Sequence, residues 1–271
     1  MKKIIKKIMD FVDHVSESHV GAYAAQSAYF FMLSLIPILL LLLTIVQYTP
    51  VTKADVMTAM VMVFPEKSMQ NFMVGIVNEV YNQSRTVIPI TAIVALWSAG
   101  KGVLAVSNGL NCAHKIRETR NYVYLRIRAS LYTIMFILAI VIALVLAVFG
   151  SSISIFVNQH FPFLQKTTSI ILQMRTVFTF VMMIGLSLVV YRFLPNKKEK
   201  FRKLFPGAVF TSIGWLMISF IFSMYLTIFK GFSGLYGSMT AIILVMLWLY
   251  FCMYAMLLGG LINNLWQEKA K

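Results

Sequence analysis

The chain has 271 residues, of which 59% are hydrophobic and only 12% charged, and its mean hydropathy is +0.80. Soluble domains carry about 25% charged residues, so this composition excludes an ordinary water-soluble domain and points to an all-α membrane protein. The formal charge of +15 sits mostly in loops between apolar runs, where anionic headgroups of membrane lipids are the expected partners and nucleic acid is not.

Residues 1–18 read MKKIIKKIMDFVDHVSES and place Ile4, Ile5, Ile8, Phe11, Val12 and Val15 on one helical face. The pattern predicts an interfacial amphipathic helix with Lys2, Lys3, Lys6 and Lys7 near headgroups; packing of the same face on the protein itself is the plainer alternative. No apolar core with a cleavage site follows the lysines, so a cleaved signal peptide is not expected. Residues 19–271 read as a single membrane domain, a six-transmembrane-helix bundle with spans at about 21–48, 86–110, 129–157, 168–191, 205–229 and 239–266. Pro37 inside the first span removes a backbone bond and predicts a kink, and Ala24 with Ala28 suits a close helix contact. Between the first two spans, Val56, Met60, Val63 and Phe64 form one short stripe. Met69, Phe72, Met73, Ile76 and Val80 form another after Pro65. These predict two short extracytoplasmic amphipathic helices that lie on the surface. Lys101 falls inside the second span and Arg175 inside the fourth. Pro206 is expected in the first turn of the fifth. KGFSGLYGS, with Gly231, Gly234 and Gly237, predicts a tight, irregular connection in which Gly234 and Gly237 act as hinges. There is no internal repeat, which argues against an inverted-repeat carrier.

Six spans put both termini on one side, and the positive-inside rule chooses it. Seventeen Lys and Arg residues lie with the termini and the two loops on that side, against five on the other. The first of these loops holds Lys115, Arg117, Arg120, Arg126 and Arg128. The second holds Arg192, Lys197, Lys198, Lys200, Arg202 and Lys203. The termini and both basic loops are therefore expected in the cytoplasm. Cys112 and Cys252 lie far apart in this plan and are not expected to pair, and no metal-ligand spacing or cofactor motif occurs.

AAQSAYFFMLSLIPILLLL at 24–42 resembles the first-helix signature of the YihY/BrkB family of bacterial inner-membrane proteins. LWSAGKGVLAVSNGLNCAHKIRETRNY at 96–122 is similar to that family's second helix and basic loop. FPGAVFTSIGWL at 205–216 and LYGSMTAIILVMLWLYFCMYAMLLGGLIN at 235–263 resemble its fifth and last helices. The resemblance implies six membrane helices in a bacterial cytoplasmic membrane and no settled activity. Members were once labelled ribonuclease BN, others are tied to virulence or envelope integrity, and a role in moving lipid or envelope precursors is suggested. Where the family often has an acid in an LLGAE stretch of its final helix, this chain has LLGGLI, with Leu261 in that place. A proton-coupling step through that acid would then be absent here or carried elsewhere.

Enzyme chemistry is not expected. The nine acids lie outside the predicted spans without clustering, and His14, His19, His114 and His160 are scattered. Neither a carboxylate-held metal nor a positioned acid–base pair is legible. The same lack of an in-span carboxylate argues against a proton-driven carrier. What remains is passage of an amphiphilic anion, with Lys101, Arg175, Gln26, Ser27 and Ser34 as candidate binding residues. The competing reading is a lipid-binding or envelope-organising protein that does not transport. As single polar groups on apolar helices, Gln26, Ser27 and Ser34 more often bond a neighbouring helix than line a path. Trp97 and Trp248 are gate candidates, whereas Trp266, at a span end, suits interfacial anchoring. Lys101 and Arg175 either snorkel or face one polar cavity. The charge asymmetry predicts that a membrane-impermeant thiol reagent labels Cys112 only from the cytoplasmic side and a cysteine placed at Lys67 only from the other. Labelling of position 67 from the cytoplasm would overturn the six-span plan.

Overall fold

The computed structural model describes residues 2–47, 87–138, 175–228 and 239–269, and residues 54, 57, 74, 75, 77 and 78, which are helical. The hinge glycines 234 and 237, and most of the 53–84 segment, lie outside the described residues. No strand occurs among the described residues. The helices are α1 (Lys2–Glu17), α2 (Val20–Gln47), α3 (Val87–Ala113), α4 (described over 122–138), α5 (Arg175–Phe193), α6 (Phe201–Ile228) and α7 (Met239–Lys269). α1 ends at His19, whose left-handed φ of 47° turns the chain into α2. α2 runs through Pro37 without a break in the helix.

The chain gathers into two compact units. One comprises Met1–Met32, Gly100–Ala129 and Phe180–Lys271, and the other Leu33–Ala99 and Ser130–Thr179. In the second unit the long described stretches, 33–47, 87–99, 130–138 and 175–179, are helical, with Ser34, Ala99, Thr133 and Ile137 buried. The first unit holds α1, α6, α7 and both basic connections.

Close helix packing in the first unit rests on glycine. A Cβ on Gly207 would collide with the Gly259 carbonyl, and a Cβ on Gly259 with the Thr211 and Tyr191 hydroxyls and, at 2.7 Å, the Gly207 carbonyl. α6 and α7 therefore touch backbone to backbone, as small residues allow in apolar surroundings where lipid offers no hydrophobic drive. Polar groups fix this crossing. The buried Tyr191 hydroxyl donates to the Met256 carbonyl at 2.6 Å and lies 2.5 Å from Thr211 Oγ1. Asn263 Oδ1 accepts the Gly207 N–H at 2.7 Å. Trp215 Nε1 donates to the Cys252 carbonyl at 2.9 Å, and Trp248 Nε1 to Ser219 Oγ at 3.3 Å. α3 also packs closely at a glycine, for a Cβ on Gly109 would lie 2.8 Å from the side chains of both Leu257 and Tyr23. Ala24 and Ala28 are buried, as the small-residue spacing predicts.

Two helix starts differ from the sequence expectation. α6 opens at Phe201, so Pro206 lies in its second turn and not its first. The helix tolerates it there because Asn263 gives the next N–H, that of Gly207, an acceptor from outside the helix. α4 starts at 122, before the expected 129, because Asn121 caps it: Asn121 Oδ1 accepts the Val123 N–H at 2.9 Å. Arg126 and Arg128 are thus helical and not in a loop, and so are Arg202 and Lys203.

Among the described residues, Phe201–Tyr225 and Ile242–Gln267 are long and apolar enough to cross a membrane. At 1.5 Å per residue each exceeds about 30 Å of hydrocarbon. Only 28% and 33% of their apolar windows are buried, so neither is the core helix of a soluble protein. Ile213, Met217, Phe220 and Met224 leave one outward stripe of α6 bare, a surface suited to lipid. Gly259→Ala should lower the thermal midpoint of the detergent-solubilised protein, by roughly 1–3 kcal/mol of overpacking, because backbone on the far side cannot yield. Gly185→Ala, with nothing within 4 Å of the added methyl, should be neutral or stabilising by about 0.5–1 kcal/mol. Equal behaviour of the two variants would remove the backbone contact as the cause.

Candidate functional site: a locked cationic face

α3 ends in a Schellman turn. The Ile116 N–H reaches the Asn111 carbonyl at 2.9 Å, the Lys115 N–H reaches that of Cys112 at 2.9 Å, and Lys115 takes the left-handed φ of 53°. The turn leads into KIRETR, where a single acid stands among cations. Glu118 Oε1 accepts from the Arg120 backbone N–H at 3.0 Å and from its Nε at 2.8 Å. Glu118 Oε2 accepts from Arg120 Nη2 at 2.6 Å and from Asn111 Nδ2 at 2.8 Å. These bonds, the Arg120 side chain's first among them, hold the Glu118 carboxyl down at about 2 against an ordinary 4.5, although partial burial works the other way.

The same knot grips the second basic connection. Arg120 Nη2 also donates to the Leu194 carbonyl at 3.1 Å, which accepts from Ser107 Oγ at 2.9 Å as well. Asn111 Oδ1 accepts the Asn196 N–H at 2.7 Å, and Asn196 Nδ2 donates to Thr119 Oγ1 at 2.9 Å. Two loops more than 70 residues apart in sequence are thereby fixed side by side. Further along, Lys197 pairs with Glu199 at 2.9 Å. Burial raises the Glu199 carboxyl, but its bond to Lys197 and the charges of Lys197 and Lys203 together carry it below the ordinary range. His114 beside the knot is buried, and desolvation lowers its pKa; the neutral ring donates from Nδ1 to the Leu110 carbonyl at 2.8 Å.

The knot leaves Lys115, Arg117, Lys198, Lys200, Arg202 and Lys203 exposed on the outside. Arg120 and Lys197 are held inward by their acids, Arg126 is buried on α4 and Arg128 half-buried. Lys115 meets Glu17 of α1 only at 3.7 Å, with both side chains more than half exposed, which contributes little.

The in-span candidates are placed as follows. Lys101 is exposed, with Nζ 5.4 Å from the centre of the Phe30 ring, and makes no ion pair among the described residues. Gln26 is exposed, while its neighbour Ser27 is buried and donates to Tyr23 O in its own helix at 2.7 Å. Ser34 is buried in the second unit. Arg175 is the first residue of α5; its side chain lies outside the described part. Trp97 and Trp266 are exposed, and Trp248 packs 6.4 Å from Trp215. No cluster of three metal-ligating side chains occurs among the described residues, and both cysteines are free thiols. Sequence reasoning passed over Glu118, Asn111 and Asn196. Their signal was the lone acid inside a basic run, and polar amides at the ends of apolar helices.

Long, apolar, largely unburied helices that end in a locked cationic face, with helix alone as regular structure among the described residues, define a helical membrane protein. The family profile described as Virulence factor BrkB matches residues 11–271, and the chain belongs to this family. It is 35% identical to the Putative ribonuclease-like protein YfkH of Bacillus subtilis, over 92% of this chain and 90% of the relative. A UPF0761 membrane protein of Pseudoalteromonas atlantica is 22% identical over 92% of this chain and 82% of its own length. Another, IL2447 of Idiomarina loihiensis, is 28% identical over 28% of this chain and 26% of its own length. No solved structure matches the chain. The family is one of membrane proteins.

Because the folded-state pKa of Glu118 lies below its ordinary value, its carboxylate stabilises the fold at any pH above about 4.5. That contribution is lost as pH falls toward about 2. Glu118→Gln should therefore unfold at lower temperature than wild type near neutral pH, by about 1–3 kcal/mol. The gap should close on acidification through this window. A gap that persists unchanged at the acid end would show that charge on Glu118 is not what holds the loops.

Proposed function

We propose that the chain is a six-span protein of the bacterial cytoplasmic membrane, with cytoplasmic termini, that moves a lipid or other amphiphilic envelope anion across the bilayer. The charge asymmetry between its loops supports the orientation. Met9 and Val12 of α1 are more than half exposed, which supports an interfacial role for that helix.

Lys101 carries the transport reading. It lies 14 residues from Val87 and 12 from Ala113, so about 21 and 18 Å from the ends of α3. A charge in mid-bilayer costs roughly 2.5–3.5 kcal/mol on insertion scales. The Phe30 ring returns about 0.5–2 kcal/mol, depending on how dry the site is. A passing anionic headgroup, or water around it, supplies the remainder. Arg175 is a second cation on the same route in this proposal, suited to a bidentate phosphate contact. A lipid-binding, envelope-organising role without transport is favoured by one observation, that Ser27 bonds its own helix and so offers no step on a path.

In proteoliposomes carrying a fluorescent anionic lipid, the protein should speed the loss of inner-leaflet protection beyond that of empty vesicles. Lys101→Ala and Arg175→Ala should each abolish the gain without loss of folded protein, and Arg175→Lys should restore it only in part. Wild-type rates in both alanine variants would end the two-cation route. No acceleration with any of several anionic lipids would leave the organising role.

A further inference from the structure

Beside the locked loops, a cleft of about 610 Å³ opens between the start of α6 and the end of α7. Its walls combine two chemistries. Leu188, Phe205, Pro206 and Trp266 give an apolar side, with Phe205 51% and Trp266 60% exposed at the mouth. Arg202 and Lys203 give a cationic side, on the first turn of α6, where the positive end of the helix dipole adds to them. Lys203 is only loosely engaged, 3.9 Å from Glu199, a carboxylate that Lys197 already holds at 2.9 Å.

Gln267 also lines the cleft and is 6% exposed. Its Oε1 takes a long bond of 3.4 Å from Lys197, while its buried Nε2 has no hydrogen-bond partner among the described residues. An amide N–H left without an acceptor is unfavourable by about 1–3 kcal/mol, so a buried one beside two cations and a helix N-terminus is a donor waiting for an anion.

We infer that this cleft binds the phosphate headgroup of an anionic lipid, with Arg202, Lys203 and Gln267 on the phosphate and Phe205, Pro206 and Trp266 against the adjoining chain. Free phosphate shares the headgroup chemistry but has no use for the apolar wall. That wall continues along α6 as the bare stripe of Ile213, Leu216, Phe220 and Met224, the course a bilayer chain would follow. Tryptophan at the end of a spanning helix suits the same interface. The site rests on the membrane reading above in taking its ligand from the bilayer, and it does not require that the ligand be moved across.

The test uses the full chain in a zwitterionic detergent with three probes: short-chain phosphatidylglycerol, short-chain phosphatidylcholine and inorganic phosphate. Binding is followed by calorimetry and by the fluorescence of Trp266, isolated by difference with Trp266→Phe. Phosphatidylglycerol should bind saturably, phosphatidylcholine should not, and phosphate should fail to displace the lipid at equal concentration. The double variant Arg202→Gln, Lys203→Gln should weaken binding about tenfold or more, the scale of losing charge-assisted bonds. Gln267→Glu keeps the shape and places a negative charge at the floor; it should abolish binding while the lipid-free thermal midpoint stays within a few degrees. Unchanged affinity in the folded double variant overturns the site. Displacement by phosphate as effective as by lipid overturns the lipid as occupant. Binding without lipid flip removes transport and keeps the cleft, whereas flip that survives in both cleft variants, with binding absent from wild type, removes the cleft and keeps transport.

Discussion

Positive charge must stay out of hydrocarbon, yet this protein gathers it at the ends of its most apolar helices, and one carboxylate makes that arrangement a fixed structure. Glu118 accepts four hydrogen bonds, three from Arg120 and one from Asn111. Through these two residues it reaches Leu194 and Asn196 on the opposite loop. Without such an acceptor the cations of both loops would repel each other. With it, Arg120 turns inward and the remaining cations face out. The geometry of the charged face thus follows from one buried-edge ion pair, which is stronger than its exposed counterparts because both oxygens are fully engaged.

Behind that face, the helices meet through absence of side chains. Gly207 and Gly259 bring α6 and α7 into backbone contact, while Gly109 makes room for the Leu257 side chain and Gly260 for that of Leu110, which seats α3 close on α7. In lipid, apolar surface alone gives little reason for helices to associate, so close van der Waals contact and buried polar bonds carry the load. Tyr191, Thr211 and Asn263 supply those bonds within the same seam. Leu261, in the place where the family often has an acid, is 1% exposed and packed in this interior. An acid there would need a partner, and the seam instead uses neutral amides and hydroxyls.

Much of this was legible in the sequence. Long apolar runs in the sequence overlap α2, α3, α5, α6 and α7 in the described parts, because a sustained apolar run of that length reads as helix from composition alone. Helix starts were less legible. Asn121, Arg202 and Lys203 are polar or basic and read as loop, whereas Asn121 caps a helix that starts at 122 and the other two lie in the first turn of α6. The in-span candidates were chosen as polar exceptions on apolar helices, yet Gln26 and Ser27, adjacent in sequence, take opposite environments about 100° apart on the helix. The cleft was not legible at all. It joins Gln267 to Arg202 across 65 residues, and single-sequence periodicity carries no information about which helix ends meet.

The central proposal is that the cationic face engages anionic lipid. Its most direct measurement is the thermal midpoint of the protein in nanodiscs of phosphatidylglycerol against nanodiscs of phosphatidylcholine, at low and at high salt. A ligand that binds only the folded state raises the midpoint, and screening at high ionic strength weakens exposed charge contacts. The account predicts a higher midpoint in phosphatidylglycerol, with the difference shrinking as salt rises. Equal midpoints in the two lipids at low salt, or a lower one in phosphatidylglycerol, would contradict it.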